Sequence, residues 1–140
     1  GMYDSWGVGL LLYNSAISAF NSAVVTDVFR NKCIIFQQGE ADTKDIINAN
    51  NYELAEEGMI TGIKNETGIS FFIDGKLGDI TKPDLLYPNI VNQAKDNNLT
   101  NNVSDATIDT TGLVLPDGVH FDTAGYEEVG VRYFNVVKDL

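Results

Sequence analysis

The chain has one cysteine, one histidine, one tryptophan and three prolines among 140 residues. With Cys33 alone there can be no intrachain disulfide and no cysteine metal cluster. His120 is the sole imidazole, so the common zinc sets cannot be assembled and no metal is expected. Basic residues are scarce too: nine Lys and Arg stand against 20 Asp and Glu, a formal net charge of −11. Binding to phosphate backbones or anionic membrane surfaces needs clustered Lys and Arg, so neither nucleic acid nor membrane is an expected partner. No apolar run approaches the roughly 20 residues that span a bilayer. The N-terminus carries no signal-type basic stretch and apolar core. None of this assigns a compartment.

What is present suits one globular domain over residues 1–140, since 44% of residues are hydrophobic and 21% charged. The acidity reads first as solubility. Gly1-Met2 reads as a tag remnant followed by a start methionine. Cys33, inside Cys33-Ile34-Ile35-Phe36, is expected to be a small buried core residue. The N-x-S/T triplets at Asn65, Asn98 and Asn102 read as turn chemistry in an Asn-rich chain rather than as glycan sites.

Helical and strand patterns alternate. Tyr13, Ile17, Phe20, Val24 and Val28 recur at helical spacing from Leu10 to Phe29, and Arg30-Asn31-Lys32 closes that helix with basic charge. Cys33 to Phe36 is a short continuous apolar run, expected as a strand buried on both faces. Asp42-Thr43 is placed to cap a helix running to Ile63, with Gly58 and Gly62 weakening it. Gly68 ends that helix, and Ile69 to Ile73 is the next strand. Pro83-Asp84 opens a third helix with Leu86, Ile90 and Ala94 on one side. A polar stretch from Asp96 to Ser104, a strand at Ala106 to Ile108 and a final helix capped by Thr123 complete the chain. Strands joined by helices predict a parallel sheet with right-handed crossovers, an α/β fold of three α/β/α layers.

In such a sheet ligands bind beyond the C-terminal strand ends. The segment Gln37-Gln38-Gly39-Glu40-Ala41-Asp42 follows the first strand, and its amides and carboxylates either line a crevice there or form an ordinary loop in which Asp42 caps a helix. The second candidate is Asp117-Gly118-Val119-His120, just before the last helix. A tight turn over that spacing brings the carboxylate to one imidazole nitrogen, fixing the tautomer and leaving the other nitrogen to accept a proton.

These two segments resemble blocks of the SGNH hydrolase superfamily, in its carbohydrate-esterase branch of acetylxylan esterases and sialate O-acetylesterases. The third block of that branch reads Trp-x-Gln-Gly-Glu-Ser/Ala-Asp, and here stands Phe36-Gln37-Gln38-Gly39-Glu40-Ala41-Asp42. The last block reads Asp-x-x-His-Phe/Leu before a Gly-Tyr helix start, and here stands Asp117-Gly118-Val119-His120-Phe121, with Gly125-Tyr126 following. Ser5-Trp6 and Leu12-Tyr13-Asn14 are similar to the segment after the second block, which puts Gly1 near the oxyanion glycine. The first block, a Gly-x-Ser turn after a strand, has no counterpart; Ser5 in Tyr3-Asp4-Ser5-Trp6 only echoes it.

The resemblance implies a flavodoxin-like SGNH fold, incomplete at about three strands and matching the C-terminal part of a family domain. It implies a serine esterase removing acetyl or other acyl groups from carbohydrate esters, with no cofactor. His120 would be the base, Asp117 its support and Gln38 an oxyanion donor, with Glu40 and Asp42 behind the site or on the sugar. The alternative is a truncated or inactive SGNH-like domain serving carbohydrate binding or assembly. A half-size parallel sheet also exposes a strand edge, so a homo-oligomer or a partner chain is expected to complete it.

Overall fold

The computed structural model describes residues 1–24 and 31–140. A short π-helical turn at Met2–Trp6 leads into α1 (Leu11–Val24), followed by β1 (Cys33–Gln37), a 3-10 turn at Glu40–Lys44 and α2 (Ile46–Thr67). Then come β2 (Phe71–Gly75), α3 (Pro88–Thr100), β3 (Ala106–Ile108) and α4 (Thr123–Val137). The three strands are parallel in the order β1-β2-β3, as the alternating pattern predicts.

Strand alternation divides the core into two. Ile34, Phe36 and Phe72 face α1, α2 and α3, joining Tyr13, Tyr52, Met59, Ile63 and Val91. Ile73 and Ile108 face the other way, against Val129 and Tyr133 of α4 and against Phe121. The sheet thus lies between helical layers. A single helix does not cover three strands: α4 lies over β2 and β3, leaving Ile35 of β1 55% exposed. Cys33, expected in the core, is exposed on that same open face. The expectation that β1 is buried on both faces holds for one face only.

Helix boundaries also move for identifiable reasons. Asp42 and Thr43 do not cap α2. Asp45 does, its carboxylate accepting from Ile47 and Asn48 N–H at 2.8 and 3.1 Å, and Gly68 closes the helix in the left-handed conformation, as expected. Gly62 is tolerated inside α2 because a Cβ there would press on the Tyr13 hydroxyl and Val8. Pro83-Asp84 does not open α3. Leu86 and Tyr87 N–H both donate to the Thr43 carbonyl at 3.0 Å, which holds that segment as a loop until Pro88 starts the helix. α3 then runs on to Thr100, through half of the stretch expected to be irregular. Asp122, not Thr123, caps α4 through Gly125 N–H at 2.7 Å. Of the first predicted helix, residues 25–29 and the closing Arg30 lie outside the described residues.

Asn98 departs from the turn reading of its triplet. It is buried within α3, donating to Glu56 at 2.9 Å, whereas Asn102 does occupy a left-handed turn position, with φ of 59°.

Glu56 belongs to a network that the apolar pattern does not reveal. Lys95 of α3, wholly buried, pairs with Asp74 of β2 at 2.7 Å and with Glu56 of α2 at 3.3 Å. The rings of Tyr52 and Phe36 lie 5.3 and 5.8 Å from its ammonium. Burial works against the Lys95 charge, but the two carboxylates outweigh it and hold the proton on. Two carboxylates share one cation, and Asp74 is pushed up to about 8, first by burial and further by Glu56, with Lys95 pulling back.

A carboxyl raised in the folded state keeps protons that the unfolded chain has released. Its contribution to stability is full below the ordinary carboxylate pKa and is lost as pH rises through about 8. Urea unfolding is therefore expected to show Asp74 weakening the fold between pH 5 and 8, with the slope flattened in Asp74→Asn; an unchanged slope overturns that assignment. Lys95→Met, which leaves the buried Glu56 and Asp74 carboxyls without their cation, is expected to cost about 3–5 kcal/mol and more than Asp74→Asn.

Candidate active site

The Asp117–His120 pair is built by one turn. Asp117 Oδ1 accepts from Val119 N–H at 2.9 Å and from His120 N–H at 2.7 Å, while Oδ2 meets His120 Nδ1 at 2.7 Å. The His120 backbone N–H, then its imidazole, then the Val119 N–H hold the Asp117 carboxyl well below the usual carboxylate range. An ionised carboxylate can only accept, so Nδ1 carries the proton and donates, and Nε2 of the neutral ring is left as the acceptor. This is the arrangement the Asp-x-x-His spacing predicts. Gly118 makes the turn possible, with φ of +79° and no room for a side chain: a Cβ would lie 3.0 Å from Lys82 N and from Thr81 Oγ1.

The His120 side chain is 67% exposed and lines two adjoining clefts. One, of about 220 Å³, runs between Glu40, Ala41, Lys44, Lys82, Leu85, Val119 and His120. The other, of about 270 Å³, is lined by Gln37, Glu40, Val119, His120, Phe121 and Tyr126. The loop after β1 and the loop before α4 thus meet across the C-terminal end of the sheet, and Glu40 shares both clefts with His120.

Gln38 and Asp42 are held together, but on a different set of partners. Asp42 is buried and receives Met2 N–H at 2.9 and 3.0 Å on its two oxygens. Gln38 Nε2 donates to Asp42 Oδ2 at 3.3 Å. The Tyr52 hydroxyl donates to the Gln38 carbonyl at 3.1 Å. Gly1 packs so closely on Asp42 that a Cβ would collide with its carboxylate. Neither Gln38 nor Asp42 lines the clefts at His120.

Gln37, part of the candidate segment but given no role of its own in the sequence reading, does line one cleft. Its amide spans from the Lys76 carbonyl, where Nε2 donates at 3.0 Å, to the Tyr133 hydroxyl, 3.2 Å from Oε1. The signal for it was strand parity. Gln37 shares a face with Ile35, the face turned towards α4, and so towards the loop that α4 follows.

No serine completes the constellation among the described residues: His120 hydrogen-bonds only with Asp117. Ser5 lies in the turn at Met2–Trp6. Ser15 and Ser22 bond back to α1 carbonyls, Ser70 accepts from Lys32 N–H, and Ser104 is buried. No group of three or more potential metal ligands occurs among the described residues, and no described helix is long and apolar enough to cross a membrane.

An α/β sheet with an Asp–His pair and a Gln-Gly-Glu loop facing each other at its C-terminal edge has the layout of an SGNH-type hydrolase domain. The sequence profile described as "Carbohydrate esterase, sialic acid-specific acetylesterase" matches residues 2–139. The chain belongs to that family. Its fold is also that of a solved Arabidopsis thaliana protein, with a TM-score of 0.75 and 21% identity, over 94% of this chain and 53% of the other. The chain thus spans about half the length of that relative. No curated protein matches the sequence.

The two glycine turns give a direct test of how the His120 loop is held. Gly112→Ala, at φ of +82° with open space around it, is expected to cost only the left-handed penalty of about 1–2 kcal/mol. Gly118→Ala adds a clash with the Lys82 backbone, so its urea midpoint should fall further, and the His120 ring resonances should move. Equal losses for the two variants would mean that Gly118 supplies backbone conformation alone.

Proposed function

We propose that this chain carries the acid–base part of a serine-esterase site that removes acetyl or other acyl groups from carbohydrate esters. One observation above all supports this: the 2.7 Å Asp117–His120 contact, with the ring opening onto clefts faced by the Gln-Gly-Glu loop.

The chemistry is acyl transfer in two steps. His120 Nε2 takes the proton of a serine hydroxyl as that oxygen attacks the ester carbonyl, and the imidazolium then protonates the departing sugar oxygen. Water repeats the sequence on the acyl-serine and releases the acid. Asp117 supports the imidazolium throughout. Gln38 has one amide proton engaged by Asp42, and an amide nitrogen carries two. In the proposed role the second is the donor to the tetrahedral oxyanion, and such a donor is typically worth about 2.7–4 kcal/mol. The resemblance would put Gly1, which packs on Asp42, near the family's oxyanion glycine. Glu40 faces the sugar.

The serine comes from a segment outside residues 1–140 that pairs with the free edge of β1, in the same protein or in a partner chain. β1 has a strand neighbour on one side only among the described residues, and an unpaired edge is a template for another strand. The second reading is a carbohydrate-binding domain without turnover, favoured by the lack of a serine on His120.

With the serine-bearing segment present, release of p-nitrophenol from its acetate ester is expected, with His120→Ala and Asp117→Asn each lowering kcat by a factor on the order of 10³–10⁴. No turnover above buffer, together with no serine-directed phosphonate adduct by mass spectrometry, selects the binding reading. For the partner, sedimentation should give a dimer or larger species. A monomer with fast-exchanging β1 amides leaves that edge unoccupied and overturns the pairing.

A further inference from the structure

We propose that the groove between α2 and α3 is a binding site for a neutral oligosaccharide, separate from the clefts at His120. It holds an unacylated stretch of sugar chain and does no chemistry on it. Such binding needs no serine and stands apart from the esterase reading.

Two small residues give the groove its depth. Ala49 of α2 and Ala94 of α3 are buried where the helices meet, and their methyl groups leave a trough of about 350 Å³. Partly buried Ile90 completes an apolar floor. The rim is built of carboxamides, from Asn50 on α2 and from Asn89, Gln93 and Asn97 on α3. On α3 these stand at intervals of four residues, so they share one helix face. At 1.5 Å per residue they extend over about 12 Å.

The fold does not require this rim. Val91, Lys95 and Asn98 hold α3 in place from its buried side, and Asn is a weak helix former that stabilises nothing on an exposed face. Asn50 and Asn89 are exposed, and their side chains make no hydrogen bond among the described residues. The other two are pre-oriented: Gln93 Nε2 donates to Asn97 Oδ1 at 3.0 Å, and Asn97 Nδ2 donates to Glu53 Oε2 at 2.6 Å. Each link uses one proton of a nitrogen that carries two, so donors and acceptors both remain along the rim.

Donors and acceptors above an apolar floor match a sugar ring, whose hydroxyls do both and whose C–H face is apolar. Glu53 alone is charged among the described residues that line the groove. Its carboxylate can accept from a hydroxyl, and it repels an anion that no cation here would attract. An apolar partner helix would bury the carboxamides without satisfying them. The groove also leads somewhere. Asn89 borders a second hollow, of about 370 Å³, together with Asp79, Thr81 and Thr111. Thr81 N–H donates to the Gly118 carbonyl at 3.1 Å, inside the Asp117–His120 turn. Asn92 ties that loop to α3 through both backbone groups of Leu77, at 2.7 and 3.0 Å. A sugar chain lying along the carboxamides is thus directed, past Asn89, towards the His120 turn.

The side-chain NH₂ signals of a ¹⁵N-labelled sample report on the groove directly. The intact chain would be titrated with cellotetraose, xylotetraose and mannotetraose, and with tetragalacturonate as the anionic counterpart. At least one neutral tetrasaccharide is expected to shift the Asn50, Asn89, Gln93 and Asn97 signals saturably, with a Kd on the order of 1 mM. Asn50→Ala with Gln93→Ala, both at exposed positions and with the backbone spectrum confirming the fold, should weaken that binding about tenfold through two lost hydrogen bonds. Asn135→Ala on α4 should keep it. No saturable shift with any neutral sugar, shifts confined to residues around His120, equal binding of tetragalacturonate, or undiminished binding by the double variant each overturns the proposal. Absent esterase turnover would leave the titration intact, so failure of one reading is distinguishable from failure of the other.

Discussion

The buried ammonium of Lys95 is the contact on which the architecture turns. It joins α3 to β2 through Asp74 and to α2 through Glu56, while Asn98, one turn further along α3, takes up the other Glu56 oxygen. Tyr52 stacks near the same cation and sends its hydroxyl to the Gln38 carbonyl. One charge cluster therefore fixes two helices on one face of the sheet and reaches the loop that forms a wall of the site. A cluster of this kind is stable only while all members are present, since removing one leaves a charge with neither water nor partner.

On the opposite face the anchor is different in kind. Tyr133 of α4 donates to the Phe36 carbonyl at 2.7 Å and contacts Gln37 Oε1; Gln37 crosses above Gly75, where any Cβ would collide with it. α4 is thereby fixed at the C-terminal end of β1 and β2, and the His120 turn immediately before it is brought against Glu40. The two halves of the site are positioned by different physics, ionic below the sheet and hydrogen-bonded above it. Both converge on the single loop from Gln37 to Asp42.

The order of strands and helices and the Asp117–His120 pair were legible because each depends on local signals: apolar periodicity, a left-handed glycine, a spacing of three residues. Family resemblance carried the rest of the functional reading, and the match over residues 2–139 bears out the family. What escaped the sequence depends on distant contacts. Lys95, Glu56 and Asp74 look like solvent-facing charges until three elements converge on them. Asp42 looks like a helix cap, yet its carboxylate is claimed by Met2, 40 residues away. Cys33 and Ile35 look like core because an apolar run does not disclose how many helices cover its strand. The start of α3 was misplaced for a similar reason: the Thr43 carbonyl captures Leu86 and Tyr87, and no local propensity at Pro83 reports that.

The Tyr133–Phe36 hydrogen bond also has a bearing on how the molecule is made. It closes a loop of 97 residues, and loops of that span are closed late, after local turns and neighbouring elements have formed. The Asp117–His120 contact needs only its own turn and can form as soon as that stretch exists. The wall opposite it cannot, because α4 must dock before His120 faces Glu40. During synthesis from the N-terminus the Asp117–His120 pair and the cleft beside it are thus assembled at different times, and the cleft is among the last features of the fold to take shape.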